Sequence, residues 1–151
     1  MSGQLVLAID PLSWVSAADS GFTEPKWGEF VSNVRDTVMR SGRSVAFCVL
    51  DDVLANPGKW KNAVIPAPAL LDQDKRARVE QLFGPFPALK PDTGALVIVD
   101  GKITTADSRE ELWRAIATPE ALAAGIDTVW YVGKNFVGTW DGKNLKWTID
   151  R

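Results

Sequence analysis

The stretch 94-GALVIVDGKITTADSREELWRAIATPEALAAGIDTVWYV-132 decides how this chain is read. It opens on the apolar run Ala95–Val99, which ends at Asp100 and predicts a strand buried on both faces. A helix is predicted next: Ser108 and Glu111 stand in capping-box register, and Asp107 adds negative charge near the positive helix end. Leu112, Trp113, Ala115 and Ile116 give that helix an apolar side. Thr118-Pro119-Glu120 restarts it with Thr as N-cap and Pro in the first helical position, and Gly125 closes it. Thr128–Val132 follows as a second strand, so the order predicts a βαβ unit over 94–132.

Upstream, Gln4–Ile9 reads as a first strand stopped by Asp10-Pro11, followed by a loop. Trp27, Phe30, Val31, Val34 and Val38 then recur at helical spacing, after Thr23 as a cap and with Pro25 in the first turn, up to Ser41-Gly42. Val45–Leu50 is a second continuous apolar strand, so β-α-β is met at the front of the chain as well. Pro57, Pro66 and Pro68 break up 53–68, which reads either as a lid or partner-binding arm or as an irregular crossover. Asp72 or Asp74 caps a helix carrying Val79, Leu82 and Phe83 and ending at Gly84, and proline-broken sequence continues through Lys90-Pro91-Asp92.

Downstream, Gly133-Lys134-Asn135-Phe136 recurs nine residues later as Gly142-Lys143-Asn144-Leu145. Two glycine-bearing turns, one of them at the hairpin cue Asp141-Gly142, predict a β-meander over 128–150. Period-two alternation places Phe136, Trp140, Leu145, Trp147 and Ile149 on one apolar face. The expectation is a single α/β domain over 1–151, with a mixed sheet, a parallel βαβ core and a C-terminal antiparallel meander.

Composition narrows the function. At 151 residues and 46% hydrophobic the chain suits one domain with its own core. A net charge of -2 announces no nucleic-acid or membrane partner, and Lys75-Arg76-Ala77-Arg78 reads as a solvated helix face. No apolar run approaches the roughly 18 residues of a membrane span and no signal-type segment opens the chain, which predicts a cytoplasmic protein. The lone Cys48 forbids an internal disulfide and sits in an apolar strand. With no histidine, Ser-His-Asp and Cys-His catalysis and the usual zinc, iron and copper sites are excluded. Asp51-Asp52 and Asp72-x-Asp74 lack the glycine turn and ligand spacing of a calcium loop. No residue is assigned a catalytic, cofactor-binding or metal-binding role.

Val97-Ile98-Val99-Asp100, Ile103, Asp107, Glu111, Trp113, Ala115-Ile116, Thr118 and Asp127-Thr128-Val129 resemble the C-terminal segment of the UbiD-type, prenylated-FMN-dependent aromatic carboxylases and decarboxylases. Gly101-Lys102 stands where further acidic residues are usual in that family. The resemblance implies a prenylated FMN with its metal, and its catalytic apparatus belongs to a part of the family fold that this chain lacks. The implied role is a small non-catalytic accessory subunit of a hetero-oligomer, serving assembly or active-site closure on a larger UbiD-type catalytic subunit that holds the cofactor.

Two other readings stand beside it. A free-standing small-molecule enzyme or binding protein would use Asp10, Asp51, Asp52 and Asp100, gathered at the ends of parallel strands, with paired carboxylates or Lys102 as acid-base groups. An unrelated adaptor would use its aromatic surface alone. Seven tryptophans exceed what a small core needs. Trp27 and Trp113 are assigned to the core; the predicted partner interface is Trp60, Phe136, Trp140 and Trp147.

Overall fold

The computed structural model of the chain describes residues 4–11, 24–89 and 94–149. The Thr23 cap, the loop containing Trp14, the Lys90-Pro91-Asp92 segment, and the side chains of Pro25 and Trp27 lie outside the described residues. The elements are β1 (Leu5–Ile9), α1 (Glu24–Val38), β2 (Val45–Val49), α2 (Leu50–Ala55), β3 (Ala63–Pro66), a 3-10 turn at Pro68–Leu70, α3 (Gln73–Phe83), β4 (Ala95–Val99), β5 (Lys102–Ala106), α4 (Arg109–Ile116), α5 (Pro119–Ala124), β6 (Val129–Val132), β7 (Phe136–Trp140) and β8 (Leu145–Ile149). A five-stranded mixed sheet has the order β2-β1-β3-β4-β5, and a separate antiparallel sheet has the order β6-β7-β8. β1 pairs in parallel with β2 and β3, whereas β4 runs antiparallel to both β3 and β5. The α/β class, the parallel β1-α1-β2 unit and the terminal meander match the sequence expectation.

β1 lies inside the larger sheet and is buried on both faces, which is why LVLAI contains no polar residue. Its alternation feeds two cores. Val6 and Ala8 pack with Leu50, Val53 and Val79, whereas Leu5 and Leu7 pack with Val34, Val38, Leu112 and Ile116. Leu5, Leu7, Leu50, Leu96 and Ile116 are fully buried, each contributing about 1.5–3 kcal/mol relative to exposure.

The helix signals act where they were expected. Asp72, rather than Asp74, caps α3 by accepting from the Lys75 N–H at 2.7 Å. Ser108 accepts from the Glu111 N–H at 3.1 Å, while the Glu111 carboxylate accepts from Asp107 N–H at 2.9 Å, one residue before the usual capping-box donor. Thr118 accepts from the Ala121 N–H at 3.2 Å and caps α5. Trp113 is buried, and its indole N–H donates to the Arg40 carbonyl at 2.9 Å.

Three expectations are corrected. Strand β2 ends at Val49, and Leu50 opens α2. Because β2 is an edge strand, Phe47 and Val49 are exposed and Cys48 is only partly buried. The proline-rich 53–68 segment is not one irregular loop, since Ala63–Pro66 forms the fully buried inner strand β3. Pro66 is tolerated as its final residue, where the next N–H, from Ala67, bonds to the Gly94 carbonyl at 2.9 Å.

The third correction concerns 94–132, which does not form a βαβ unit. Asp100 (φ 54°) and Gly101 (φ 78°) both adopt left-handed backbone, the requirement of a type I′ two-residue turn. Val99 pairs with Lys102, and β5 runs straight back along β4. The sheet is thereby extended before the helices begin, and β6 pairs with β7 in the second sheet instead of returning to the first. Gly101→Val should lower stability by about 1–2 kcal/mol, the cost of left-handed backbone for a side chain with a Cβ. Asp100→Asn should be close to neutral, since Asn suits the same region. Urea denaturation of both variants checks this.

Candidate partner-docking surface

Pairing in the terminal sheet assembles one apolar face. Val129 is opposite Trp140, which is opposite Leu145; Tyr131 is opposite Gly138, which is opposite Trp147; Phe136 is opposite Ile149. Directly opposed residues point to the same side, so this face presents Tyr131, Phe136, Trp140, Leu145 and Trp147 together. These five side chains are 40–53% exposed.

A glycine shapes the centre of the face. A Cβ at Gly138 would lie 2.6 Å from the Trp147 ring carbons, so only glycine allows the indole to lie down on the middle strand. Trp147 then reaches Tyr131, with ring centroids 6.1 Å apart and planes inclined by 29°, and Phe136, with centroids 5.6 Å apart. The rings therefore brace one another across strands instead of moving independently. At the β7–β8 turn, the Asp141 carboxylate accepts from the N–H groups of Lys143 and Asn144, both at 2.8 Å. The bonds from Asn144 and then Lys143 hold its carboxyl below the usual range. Lys134, Lys143 and Lys146 stand in the 128–149 segment beside Asp141, with Asp127 and Asp150 flanking it in the sequence.

The outer edge of β6 meets the body of the protein at the end of α1. The Trp130 N–H donates to the Met39 carbonyl at 3.0 Å, and Arg40 donates to the Ile126 carbonyl at 3.0 Å. The buried Trp130 indole N–H finds no acceptor among the described residues.

Phe136, Trp140 and Trp147, three of the predicted interface residues, are thus brought together, and Tyr131 joins them. Its signal lies in the alternation of Val129 and Tyr131 at the start of the predicted 128–150 meander. Trp60 is placed elsewhere: it is half-buried, packs against the core beside α2 and α3, and carries the Lys59 ammonium 5.3 Å from its ring centroid.

The strand-end carboxylates do not gather as the second reading requires. Asp10 and Asp51 meet at the carboxyl ends of β1 and β2, but Asp100 lies at the other end of the sheet, its N–H bonded to Asn62 just before β3. Lys75 is also not part of a solvated face: its ammonium is buried, 2.6 Å from Asp10 and 3.5 Å from Asp51. The hydrogen bond to Asp10 holds Lys75 above its ordinary value of 10.5, against the opposing effect of burial. Among the described residues no group of three or more Cys, Asp or Glu side chains is placed to hold a metal ion, and no helix is long and apolar enough to cross a membrane.

The chain matches no protein-family model, no curated protein and no solved structure. Function is therefore argued from geometry.

The Lys75–Asp10 pair yields a stability prediction. Lys75→Met removes the buried cation bonded to Asp10 and should cost about 3–5 kcal/mol, much of it recovered in Asp10→Asn/Lys75→Met. Because the folded-state value of Lys75 is raised, its contribution is complete below about pH 10.5 and fades only as pH climbs through the raised value. The stability difference between wild type and Lys75→Met, measured by urea denaturation, should hold constant from about pH 6 to 10 and shrink only above about pH 10.5.

Proposed function

We propose that this chain works by docking, as a small accessory subunit that seats the aromatic face of β6–β8 on a larger protein. The observation carrying this reading is the continuous row of exposed Tyr131, Phe136, Trp140, Leu145 and Trp147. With large side chains of about 200 Å² each, the 40–53% left open amounts to an apolar patch on the order of 400–500 Å². The largest apolar patch on a typical monomer is about 300–600 Å² and often functional, and one side of a standard protein interface covers about 800 Å². The patch therefore suits the centre of an interface, with Lys134 and Lys143 in the flanking turns at its margin.

An apolar face of this kind suits a matching apolar patch on a larger protein. This chain is therefore read as part of a hetero-oligomer. The sequence resemblance makes a UbiD-type catalytic subunit, holding prenylated FMN and its metal, the first partner to test. The hairpin course of 95–106 lends that particular pairing no support.

The partner is to be identified by native purification of the full chain and its affinity then measured directly. Trp140→Ala should weaken association by about thirtyfold or more, as expected for a central aromatic anchor, while the melting temperature of the isolated chain stays within a few degrees. Unchanged affinity, or a melting temperature that collapses together with binding, would make Trp140 a packing residue and refute the docking face. Trp147→Ala is the less clean variant because it also uncovers Gly138.

A further inference from the structure

We propose that the open edge of β2 is a second interface, at which two copies of this chain pair as antiparallel strands about a two-fold axis at Phe47. β2 is the outermost strand of the larger sheet. Its inner side is fixed by β1, since Leu5 is in register with Val45 and its N–H bonds to the Ser44 carbonyl at 2.8 Å. In a ladder the groups facing one neighbour belong to alternate residues, so Ala46 and Cys48 turn their N–H and C=O toward β1. Val45, Phe47 and Val49 turn theirs outward, where no strand of the described residues receives them. As the N-cap of α2, Val49 commits its carbonyl to the helix, which leaves its N–H for the edge. The other edge of the sheet is blunted by Lys102, Thr104 and Thr105 of β5, whereas Val45–Val49 carries no charge and exposes Phe47 and Val49.

The occupant is a second copy because β2 is palindromic in chemistry. Antiparallel pairing centred on Phe47 sets Phe47 against Phe47, Val45 against Val49 and Ala46 against Cys48, matching aromatic with aromatic, β-branched with β-branched and small with small. The same register satisfies the outward groups: the two Phe47 residues exchange N–H and C=O, and each Val49 N–H meets a Val45 carbonyl. Beside Phe47, a hollow of about 370 Å³ lined by Ser32, Arg35, Asp36 and Met39 gives the opposing phenyl ring a seat. The ends are complementary in charge. Arg35, Arg40 and Arg43 outnumber Asp36 and Asp127 around the start of β2, whereas Asp10, Asp51 and Asp52 outnumber Lys75 around its end. Antiparallel pairing brings each start against the opposing end, and parallel pairing would set like against like. An edge contact of this kind buries less than about 1,200 Å² in total, the range of weak and reversible association. Phe47 is therefore open in dilute solution and covered only at high concentration. The interface uses none of the residues of the aromatic face.

The test is sedimentation equilibrium of the full chain over about a hundredfold range of concentration, where reversible monomer–dimer exchange is expected. Phe47→Lys, at an exposed position, sets two ammonium groups against each other and should weaken dimerisation by about tenfold or more, with an unchanged far-ultraviolet circular dichroism spectrum. Trp140→Ala should leave dimerisation as in wild type. Ala46→Cys reports the register: the introduced thiol falls opposite Cys48 of the other copy, in a non-hydrogen-bonded pair with a Cα spacing of about 4.5 Å that a disulfide spans. Oxidised glutathione should convert this variant, and not wild type, into a covalent dimer. A chain that stays monomeric throughout, a dimer that Phe47→Lys leaves intact, or a dimer lost in Trp140→Ala would overturn the edge interface. No covalent dimer of Ala46→Cys, or equal crosslinking of wild type, would overturn the register centred on Phe47.

Discussion

The two-residue turn at Asp100-Gly101 governs the rest of the architecture. By placing both residues in left-handed backbone it reverses the chain at once, so that β5 occupies the open edge of β4. The larger sheet then ends in an antiparallel hairpin at one side and in β2 at the other. The last strands do not rejoin it beside β4 and pair with one another as β6–β8. Among the described residues, no other element covers the aromatic face of this sheet. The exposed aromatic face is thus a consequence of topology as much as of composition.

What joins the two sheets is the turn after α1. Met39 accepts a backbone bond from Trp130, Arg40 accepts from the Trp113 indole and donates to Ile126, and the Ser41 carbonyl accepts from the Thr118 N–H at 2.8 Å. Three consecutive residues therefore anchor α4, α5 and β6. This arrangement sets the outer edge of β6 against the body and leaves Tyr131 facing outward with Trp147 and Phe136. The rings brace one another over Gly138, which limits the side-chain entropy that ordering them on a partner would cost.

Legibility in the sequence followed the range of the interactions. The caps at Asp72, Ser108 and Thr118 act within four residues, and the alternation of β7 and β8 acts across one tight turn; both were readable. Strand β3 was hidden because Pro66 argues against a strand, and the partners that override it lie on β1 and β4, far along the chain. Strand β5 was hidden because Lys102, Thr104 and Thr105 dilute its apolar character, although Asp100-Gly101 carries the same cue that was recognised at Asp141-Gly142. Lys75 looked like one more basic residue in a charged run, since its partner Asp10 is 65 positions away. Of the candidate site, the composition of the aromatic face was visible in alternation, whereas the inclusion of Tyr131 and the separation of Trp60 depended on pairing that only the folded chain defines.

The docking account turns on whether the β6–β8 face is open in the lone chain and closed in its working assembly. Hydroxyl-radical footprinting of the purified chain and of the natively isolated complex measures this directly. The account predicts strong oxidation of Trp140, Trp147, Tyr131 and Phe136 in the lone chain and marked protection of all four in the complex, with exposed Phe47 as an internal reference in both. Equal oxidation of the four rings in the two states would contradict it, as would protection of these rings in a chain shown to be monomeric.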